Sequence, residues 1–352
     1  MTARPTIYQV ARRSGVSTAT VSRVMHDGDG FSDTTRVRVL AAAADLGWVP
    51  SGPARGLASR RAGIVGLLFP DLGTSGGAEE ESPLFVDQVI RGAERAATAA
   101  GDAVLIAATR GASGRTLAYS VAGKVDGLVV MAQSLTERDI QAISRSVPIV
   151  VLANRSARGK LDSIGADNRG GMKEVVRHLV QVHAYRDLVF VGGPARSPDS
   201  VERFAGFREA LLDAGLPDRK APDAEGGFTE SGGASATRAL LTDRPVPHAV
   251  VCGNDEMAIG ALSVLRAAKL RVPGDVAVTG FDDIALARHL RPALTTVHQP
   301  MRDLGERAVR MLLDRVNQPA APLNKAVLPT QLIVRRSCGC RRPLPNRVRE
   351  AA

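Results

Sequence analysis

Hydrophobic positions over the first 47 residues follow a helical spacing. Apolar side chains recur every three or four positions and predict helices over residues 6–14, 18–26 and 33–46. Residues 15–17 form a tight turn containing one glycine between the first two, and Gly47 ends the third. Two helices joined by such a turn, with a third helix supporting them, are typical of a helix-turn-helix domain.

After Arg61 the pattern changes to short, uninterrupted apolar runs that alternate with helical stretches. Runs of Val, Ile and Leu without polar alternation are typical of parallel strands buried on both faces. The alternation continues for about 270 residues, more than one sheet of this type accommodates, and predicts a two-lobed α/β core with parallel sheets. The predicted strands are 64–69, 104–108, 127–131, 149–152, 188–191, 249–252 and 276–280, and the predicted helices include 86–100, 171–183, 201–214 and 256–268.

The net charge of +10 is concentrated at the two ends of the chain. Residues 1–61 carry nine Lys or Arg against four Asp or Glu, and residues 335–352 carry six against one. Residues 62–334 have no net charge, with 31 residues of each sign. A neutral body with basic ends indicates that a terminal segment binds a polyanion such as DNA.

Several classes of protein have little support. No apolar run of about 18 residues predicts a membrane span, and the N-terminus lacks the apolar region of a secretory signal. We therefore expect a cytoplasmic protein with no membrane partner. The sequence also lacks the nucleophile, phosphate-loop, zinc-protease and dinucleotide patterns of common enzymes, which predicts no catalytic residues and no cofactor.

Cysteine use agrees with a reducing compartment, because an odd count without an export signal favours free thiols. The three cysteines are Cys252, Cys338 and Cys340. The sequence Cys338-Gly339-Cys340 can in principle hold a metal, but zinc requires four ligands and no matching pair lies nearby in the sequence. We therefore predict no metal site.

The second predicted helix has the side chains expected of a helix that reads the major groove. Short polar groups and one arginine share its outer side: Thr18, Ala19, Ser22 and Arg23. An arginine in this position can form two hydrogen bonds with guanine. Hydroxyl groups near the helix starts suit phosphate oxygens, and they belong to Tyr8, Ser17 and Thr20. The alternative is a plain three-helix scaffold with ordinary helix caps.

Residues 6–24, with Thr35-Arg36 and the segment 46–50, closely resemble the lactose-repressor/galactose-repressor (LacI/GalR) family of bacterial regulators. The resemblance implies an N-terminal helix-turn-helix, a hinge helix and a core similar to periplasmic sugar-binding proteins. It also implies that Thr18, Ala19 and Arg23 read bases.

In the family, a hinge leucine inserts into the minor groove at the operator centre. The matching positions are Arg55 and Leu57, in the segment 54–57. Pro53 and Gly56 depart from the pattern, and the glycine costs about 1 kcal/mol of helix propensity, so we expect a hinge helix less stable than is usual. A flexible linker with an isolated leucine is the alternative.

In the core, polar residues follow several predicted strands, where open α/β sheets bind ligands. They are Asn154, Asn254, Asp255, Asp282 and Asp283, with Arg203 near the start of a helix. Carboxylates, amides and an arginine at converging strand ends can bind adjacent hydroxyl groups, the chemistry of sugar recognition. Asp255 has the alternative of capping the next helix, and Arg203 that of a surface ion pair.

The resemblance implies a more specific set of effector contacts. They are Phe85, Arg203, Phe228, Asn254 and Asp282, with Asn154 standing where many relatives have Asp. We also expect Asp167 to line the cleft and Asn168 to cap a helix. Phe228 has the alternative of packing alone.

Together these features predict a transcriptional repressor that binds a pseudo-palindromic double-stranded DNA operator as a homodimer. A small effector, by default an inducing sugar, would switch its affinity from between the lobes. The alternatives are co-repression by another metabolite such as a purine or nucleoside, a solute-binding protein of transport, and an α/β enzyme.

The expected segments are a DNA-binding domain at 1–49, a hinge at 50–61, an effector-binding core at 62–340 (first lobe about 62–166 and 299–327, second about 167–298 and 328–340) and a disordered basic tail at 341–352.

Overall fold

The structure is a computed structural model that describes residues 5–25, 30–48, 61–70, 83–109, 111–152 and 161–340. The chain divides into two compact units, Met1–Gly63 and Ile64–Ala352. Arg55, Leu57, Asn154 and the tail 341–352, each assigned a role or a state above, lie outside the described residues.

The first unit contains the three predicted helices, α1 (Ile7–Ser14), α2 (Thr18–Met25) and α3 (Asp33–Leu46). Val10, Val21, Val24 and Val39 are buried between them. Gly15 ends α1 in the left-handed conformation, with a φ of 67°, which most other residues adopt only at a cost. The helix-turn-helix prediction is confirmed.

The second unit alternates strands and helices throughout. Its strands are β1 (Ile64–Pro70), β2 (Ala103–Thr109), β3 (Gly127–Met131), β4 (Ile149–Leu152), β5 (Asp162–Ala166), β6 (Leu188–Gly192), β7 (Ala224–Glu225), β8 (Ala249–Cys252), β9 (Ala277–Thr279), β10 (Thr296–His298), β11 (Lys325–Leu328) and β12 (Gln331–Ile333). Its helices are α4 (Pro83–Ala99), α5 (Gly111–Ala122), α6 (Glu137–Ile143), α7 (Asn168–His183), α8 (Pro198–Asp213), α9 (Glu230–Asp243), α10 (Asp255–Ala267) and α11 (Met301–Asn317), with a 3₁₀ turn at Ala285–Arg288.

Two parallel sheets organise this unit into two lobes. Lobe 1 is the sheet β11-β5-β4-β3-β1-β2 with helices α4 to α6 and α11, and lobe 2 is the sheet β7-β6-β8-β9 with helices α7 to α10. The antiparallel pair β10–β12 belongs to lobe 2. Helices bury apolar residues against both faces of each sheet. The predicted fold class is confirmed.

The chain passes between the lobes at three places, residues 166–168, 298–301 and 328–331. Two of these crossings are hydrogen-bonded to each other. The amide of Asp167 donates to the carbonyl of Leu328 at 2.9 Å, and Thr330 Oγ1 donates to the carbonyl of Asp167 at 2.9 Å. Leu328 pairs with Ala166 in the sheet of lobe 1, one residue past the boundary expected at 327.

The sequence did not reveal β5, β7 or the strands from β10 onward. In β5 the reason is Asp162, a charged residue where a buried strand was expected to be apolar. Asp162 can be buried because Arg315 pairs with it from α11, with Arg315 Nε and Asp162 Oδ2 2.8 Å apart.

The strand predicted at 276–280 is shorter than expected, since only Ala277–Thr279 pairs as a strand.

Candidate functional site

The start of α2 is fixed by hydroxyl groups. Ser17 Oγ accepts a hydrogen bond from the amide of Thr20 at 3.1 Å and lies 2.9 Å from Thr20 Oγ1. Ser17, predicted to contact phosphate, therefore also caps the helix, and Thr20 supplies the amide that it caps. Their contact with DNA stays a prediction.

One side of α2 is anchored and the other is open to solvent. Val21 and Val24 are at most 2% exposed and hold the helix on the core of the first unit. Ala19 and Arg23 are exposed on the other side, while Thr18 and Ser22 are half-buried. Tyr8 on α1 leaves 74% of its surface exposed. Short side chains beside an exposed arginine give this side of the helix a shape that fits the major groove.

The second unit contains a cleft of about 320 Å³ between the lobes. Lobe 1 contributes Phe85 and Met131, and lobe 2 contributes Asp199, Arg203, Phe228, Asn254 and Asp282. The structure thus brings together five of the seven residues predicted to bind an effector.

Arg203 is the most constrained polar side chain of the cleft, at 3% exposure. Its Nε donates to Asn168 Oδ1 and its Nη1 to the carbonyl of Gly253, both at 2.7 Å. Its Nη2 lies 3.1 Å from Asp282 Oδ1, and the ring of Phe281 stacks 3.9 Å from the guanidinium carbon. The alternative of a surface ion pair is wrong, because both charged groups are buried.

Asp282 occupies an unusual backbone conformation, with a φ of 113° and 4% exposure. Burial raises its pKa to about 7, although the guanidinium of Arg203 acts in the opposite direction. Gln299 Nε2 donates to the same oxygen, Oδ1, at 3.1 Å. The carboxyl group is therefore held by lobe 2 while facing the cleft.

Asn254 and Phe228 are linked by a hydrogen bond. Asn254 Nδ2 donates to the carbonyl of Phe228 at 2.9 Å, while Oδ1 accepts from the amide of Met257 and caps α10. The Phe228 ring lies 5.5 Å from the guanidinium carbon of Arg203 and lines the cleft. Phe228 therefore both packs in the core of lobe 2 and lines the cleft.

Three expectations about helix starts are corrected. Asp167, not Asn168, caps α7, and its side chain accepts from the amide of Gly170 at 2.9 Å. Asp167 is exposed and does not line the described part of the cleft. Asn168 instead bridges Arg203 and Asp199, donating to Asp199 Oδ1 at 2.7 Å. Asp255 caps no helix and is buried, accepting from the amide of Ile284 at 2.9 Å.

Sequence reasoning missed two residues that line the cleft, Asp199 and Met131. Burial raises the pKa of Asp199 above its usual value, with Arg203 opposing the effect. A signal for Asp199 was present, since it lies four residues before Arg203 at the start of α8, on the same helix face. Met131 ends β3, and its apolar side chain gives no indication of ligand binding in the sequence.

Two family models match the chain. The model for bacterial regulatory proteins of the lacI family covers residues 6–51, and a periplasmic binding protein-like domain covers residues 176–338. Catabolite control protein A of Priestia megaterium is 32% identical over 337 residues, which are 94% of this chain and 98% of that protein.

The chain belongs to the lacI family. Among solved structures, a complex of the transcriptional regulator CelR with cellobiose is 33% identical, with a TM-score of 0.71, covering 95% of this chain and all of that one. The lac repressor dimer bound to operator and the anti-inducer ONPF has 28% identity and a TM-score of 0.81, covering 96% and 99%.

Membership of the lacI family confirms the prediction of a DNA-binding transcriptional regulator with a ligand-binding core, rather than an enzyme. Among the described residues, no helix is long and apolar enough to cross a membrane.

Proposed function

We propose that this lacI-family protein is a cytoplasmic repressor that binds a pseudo-palindromic operator as a homodimer. A small sugar bound in the cleft weakens that binding. In this proposal Arg23 reads a base from α2, and Arg203 and Asp282 bind the hydroxyl groups of the sugar.

The observation that carries the sugar assignment is the buried Arg203–Asp282 pair facing the cleft. A guanidinium has five N–H donors, and three of those of Arg203 face acceptors in the described part of the chain. The remaining donors, with the carboxyl groups of Asp199 and Asp282, can satisfy adjacent hydroxyl groups that both donate and accept. Phe85 and Phe228 offer apolar surface to the C–H face of a sugar ring.

The comparisons support the same chemistry and assembly. CelR was solved with cellobiose, and the lac repressor was solved as a dimer on operator. Both chains align with almost all of this one.

The position of the cleft explains how a ligand would switch the protein. Its lining comes from both lobes, so a ligand that contacts Phe85 and Asp282 at once favours one arrangement of the lobes. Only a difference in affinity between the two arrangements can change operator binding.

The test combines ligand screening with operator binding. Monosaccharides, disaccharides and nucleosides are screened for a rise in melting temperature, since a ligand that binds only the folded protein must raise it. Duplexes selected from a random pool then measure binding with and without the hit. We expect a sugar to raise the melting temperature and to weaken binding at least tenfold.

The variant Asp282→Asn keeps the shape of the side chain but loses its charge, and should bind the duplex while losing the sugar response. Asp283→Asn is the matched control, because the neighbouring carboxyl group pairs with Arg335 and His298 and does not line the cleft. A full sugar response in Asp282→Asn would contradict the assignment of the site. A nucleoside hit that strengthens duplex binding would instead favour co-repression.

A further inference from the structure

Four possible metal ligands converge beside the end of α7. They are His178, His183, Cys338 and Cys340, and their ligand atoms all lie within 4.8 Å of one another. Along the chain, about 155 residues separate the last histidine from the first cysteine, a loop whose ends only the fold brings together. The pair of ligands that was not found near Cys338-Gly339-Cys340 in sequence is therefore present in space.

Three nitrogen–sulfur distances in the cluster are close to the edges of a zinc tetrahedron. His178 Nε2 lies 3.4 Å from Cys338 Sγ and 3.7 Å from Cys340 Sγ, and His183 Nε2 lies 3.4 Å from Cys340 Sγ. Bonds of about 2.3 Å to sulfur and 2.0–2.1 Å to nitrogen, at tetrahedral angles, require N–S edges of about 3.5–3.6 Å. The other pairs of ligand atoms lie within 4.8 Å of each other, so side-chain movements can bring all four ligands to a central cation.

The local backbone directs both thiols to the same point. Gly339 has a φ of 110°, a conformation that favours glycine, and turns the chain between the two cysteines. A Cβ atom there would lie 3.2 Å from His183 Cε1 and 3.2 Å from Tyr185 Oη. Glycine therefore lets this turn approach the histidine ring closely.

The surroundings hold the ligands in place. Tyr185 Oη donates to the carbonyl of Cys338 at 3.3 Å, and the Tyr185 ring stacks on His183 with centroids 5.2 Å apart. Such outer contacts orient metal ligands in proteins. Cys338 is fully buried and Cys340 is half-buried, so a cation has a path from the side of Cys340.

The charges also balance. Two thiolates and one divalent cation sum to zero, which makes the bound cluster suitable for a buried place.

We propose that His178, His183, Cys338 and Cys340 bind one Zn²⁺ in a closed, structural site. Four protein ligands leave no open position for a substrate, so the metal fastens the end of the described chain to α7 in lobe 2. On binding, each thiol releases its proton to solvent and the sulfur supplies the electron pair of the bond.

The first experiment measures metal in the full chain, purified under reducing conditions without added metal. We expect about one equivalent of zinc per chain by elemental analysis. After removal of the zinc by a chelator, Co²⁺ should restore one equivalent and show both sulfur-to-cobalt charge transfer and the intense visible bands of a tetrahedral site. Protein without zinc that also fails to give these cobalt bands would overturn the proposal.

The second experiment locates the site with single substitutions. Cys340→Ser and His183→Gln should lower zinc affinity at least tenfold, and Cys340→Ser should weaken the charge-transfer band. The controls are Cys252→Ser, which changes the free cysteine in β8, and His289→Gln, which changes an exposed histidine after the 3₁₀ turn.

Both controls should retain one zinc per chain. Circular dichroism shows whether each variant folds, and the cobalt spectrum of the unsubstituted protein decides the question if one does not. Unchanged zinc affinity in a folded Cys340→Ser variant would refute the site, as would a Cys338–Cys340 disulfide in the reduced preparation.

Discussion

The candidate DNA-reading helix, α2, and the cleft are built in opposite ways. On α2 the candidate side chains lie within six consecutive residues, and Arg23 stands exposed on a small apolar core. In the cleft, Arg203 and Asp282 come from segments about 80 residues apart and are almost fully buried. A change to the first should therefore alter binding alone, whereas a change to the second should alter binding and stability together.

The difference agrees with the ligand that is proposed for each surface. DNA brings its own charge and shape, so an exposed arginine on a rigid helix is sufficient. A small neutral ligand offers few contacts, and each must be made in a site from which water is excluded. The expected effects on the free energy of unfolding therefore decrease from the buried cleft to the exposed helix.

The largest effect is expected for Arg203→Ala. It removes the partner of Asp282 and the group stacked on Phe281, and breaking a buried pair costs about 3 kcal/mol or more. Urea unfolding measures the loss. Arg208→Ala on the same helix is the control, because its pair with Asp218 lies at the surface and should contribute little to stability. Equal losses in the two variants would contradict the contrast between surface and cleft.

The second effect depends on pH. The pKa of Asp282 is about 7 in the folded protein, whereas an aspartate in an unfolded chain has a pKa of about 4. Between these values the folded state keeps a proton that the unfolded state has lost, so this group lowers stability as the pH rises.

Asp282→Asn should remove that pH dependence. The free energy of unfolding of the variant, relative to that of the unsubstituted protein, should therefore rise by about 2 kcal/mol from pH 5 to pH 7. Urea unfolding of both proteins at the two pH values measures this difference in stability. Asp255 and Asp199 are present in both proteins, so their own pH dependence cancels in the comparison. A difference independent of pH would mean that Asp282 is ionised throughout this range.

A smaller effect is expected in the first unit. Val21→Ala leaves a gap in a core of few residues and should cost about 1–2 kcal/mol of that unit's stability. Because the chain forms two compact units, the calorimetric transition of the second unit should not move. Val37→Ala, at a position 67% exposed on α3, is the control and should change nothing. A shift in both transitions would show that the units unfold together.

The smallest effect on stability is expected for Arg23→Ala, under about 0.5 kcal/mol, because the side chain is exposed. Its effect on specific duplex binding should be about 1–3 kcal/mol, measured against a random competitor. Arg95→Ala removes the same charge from an exposed position on α4 and controls for electrostatics at long range. Equal losses for the two variants would remove Arg23 from base reading.

What could be predicted from sequence depended on how local the signal was. The three helices of the first unit follow from spacing and caps within a few residues, as the turn at Gly15 shows. The apolar strands β3, β4 and β8 were found at their observed bounds, because burial on both faces leaves a continuous apolar run.

The failures share a physical cause, which is a polar residue satisfied from a distant segment. Asp162 hid β5 because its partner, Arg315, lies on another helix. The sequence around Asn168 predicts a helix cap, because its actual contacts with Arg203 and Asp199 span 30 or more residues. The four possible zinc ligands went unrecognised for the same reason, since spacing in the sequence does not show what the fold brings together.

The three crossings between the lobes limit how the core can close on a ligand. The three crossing segments are short, and two of them are hydrogen-bonded to each other. Sliding one lobe past the other would stretch all three at once, whereas a small bend at each is a change of a few backbone torsions. We therefore expect ligand binding to rotate one lobe against the other by a hinge motion about the three crossing segments.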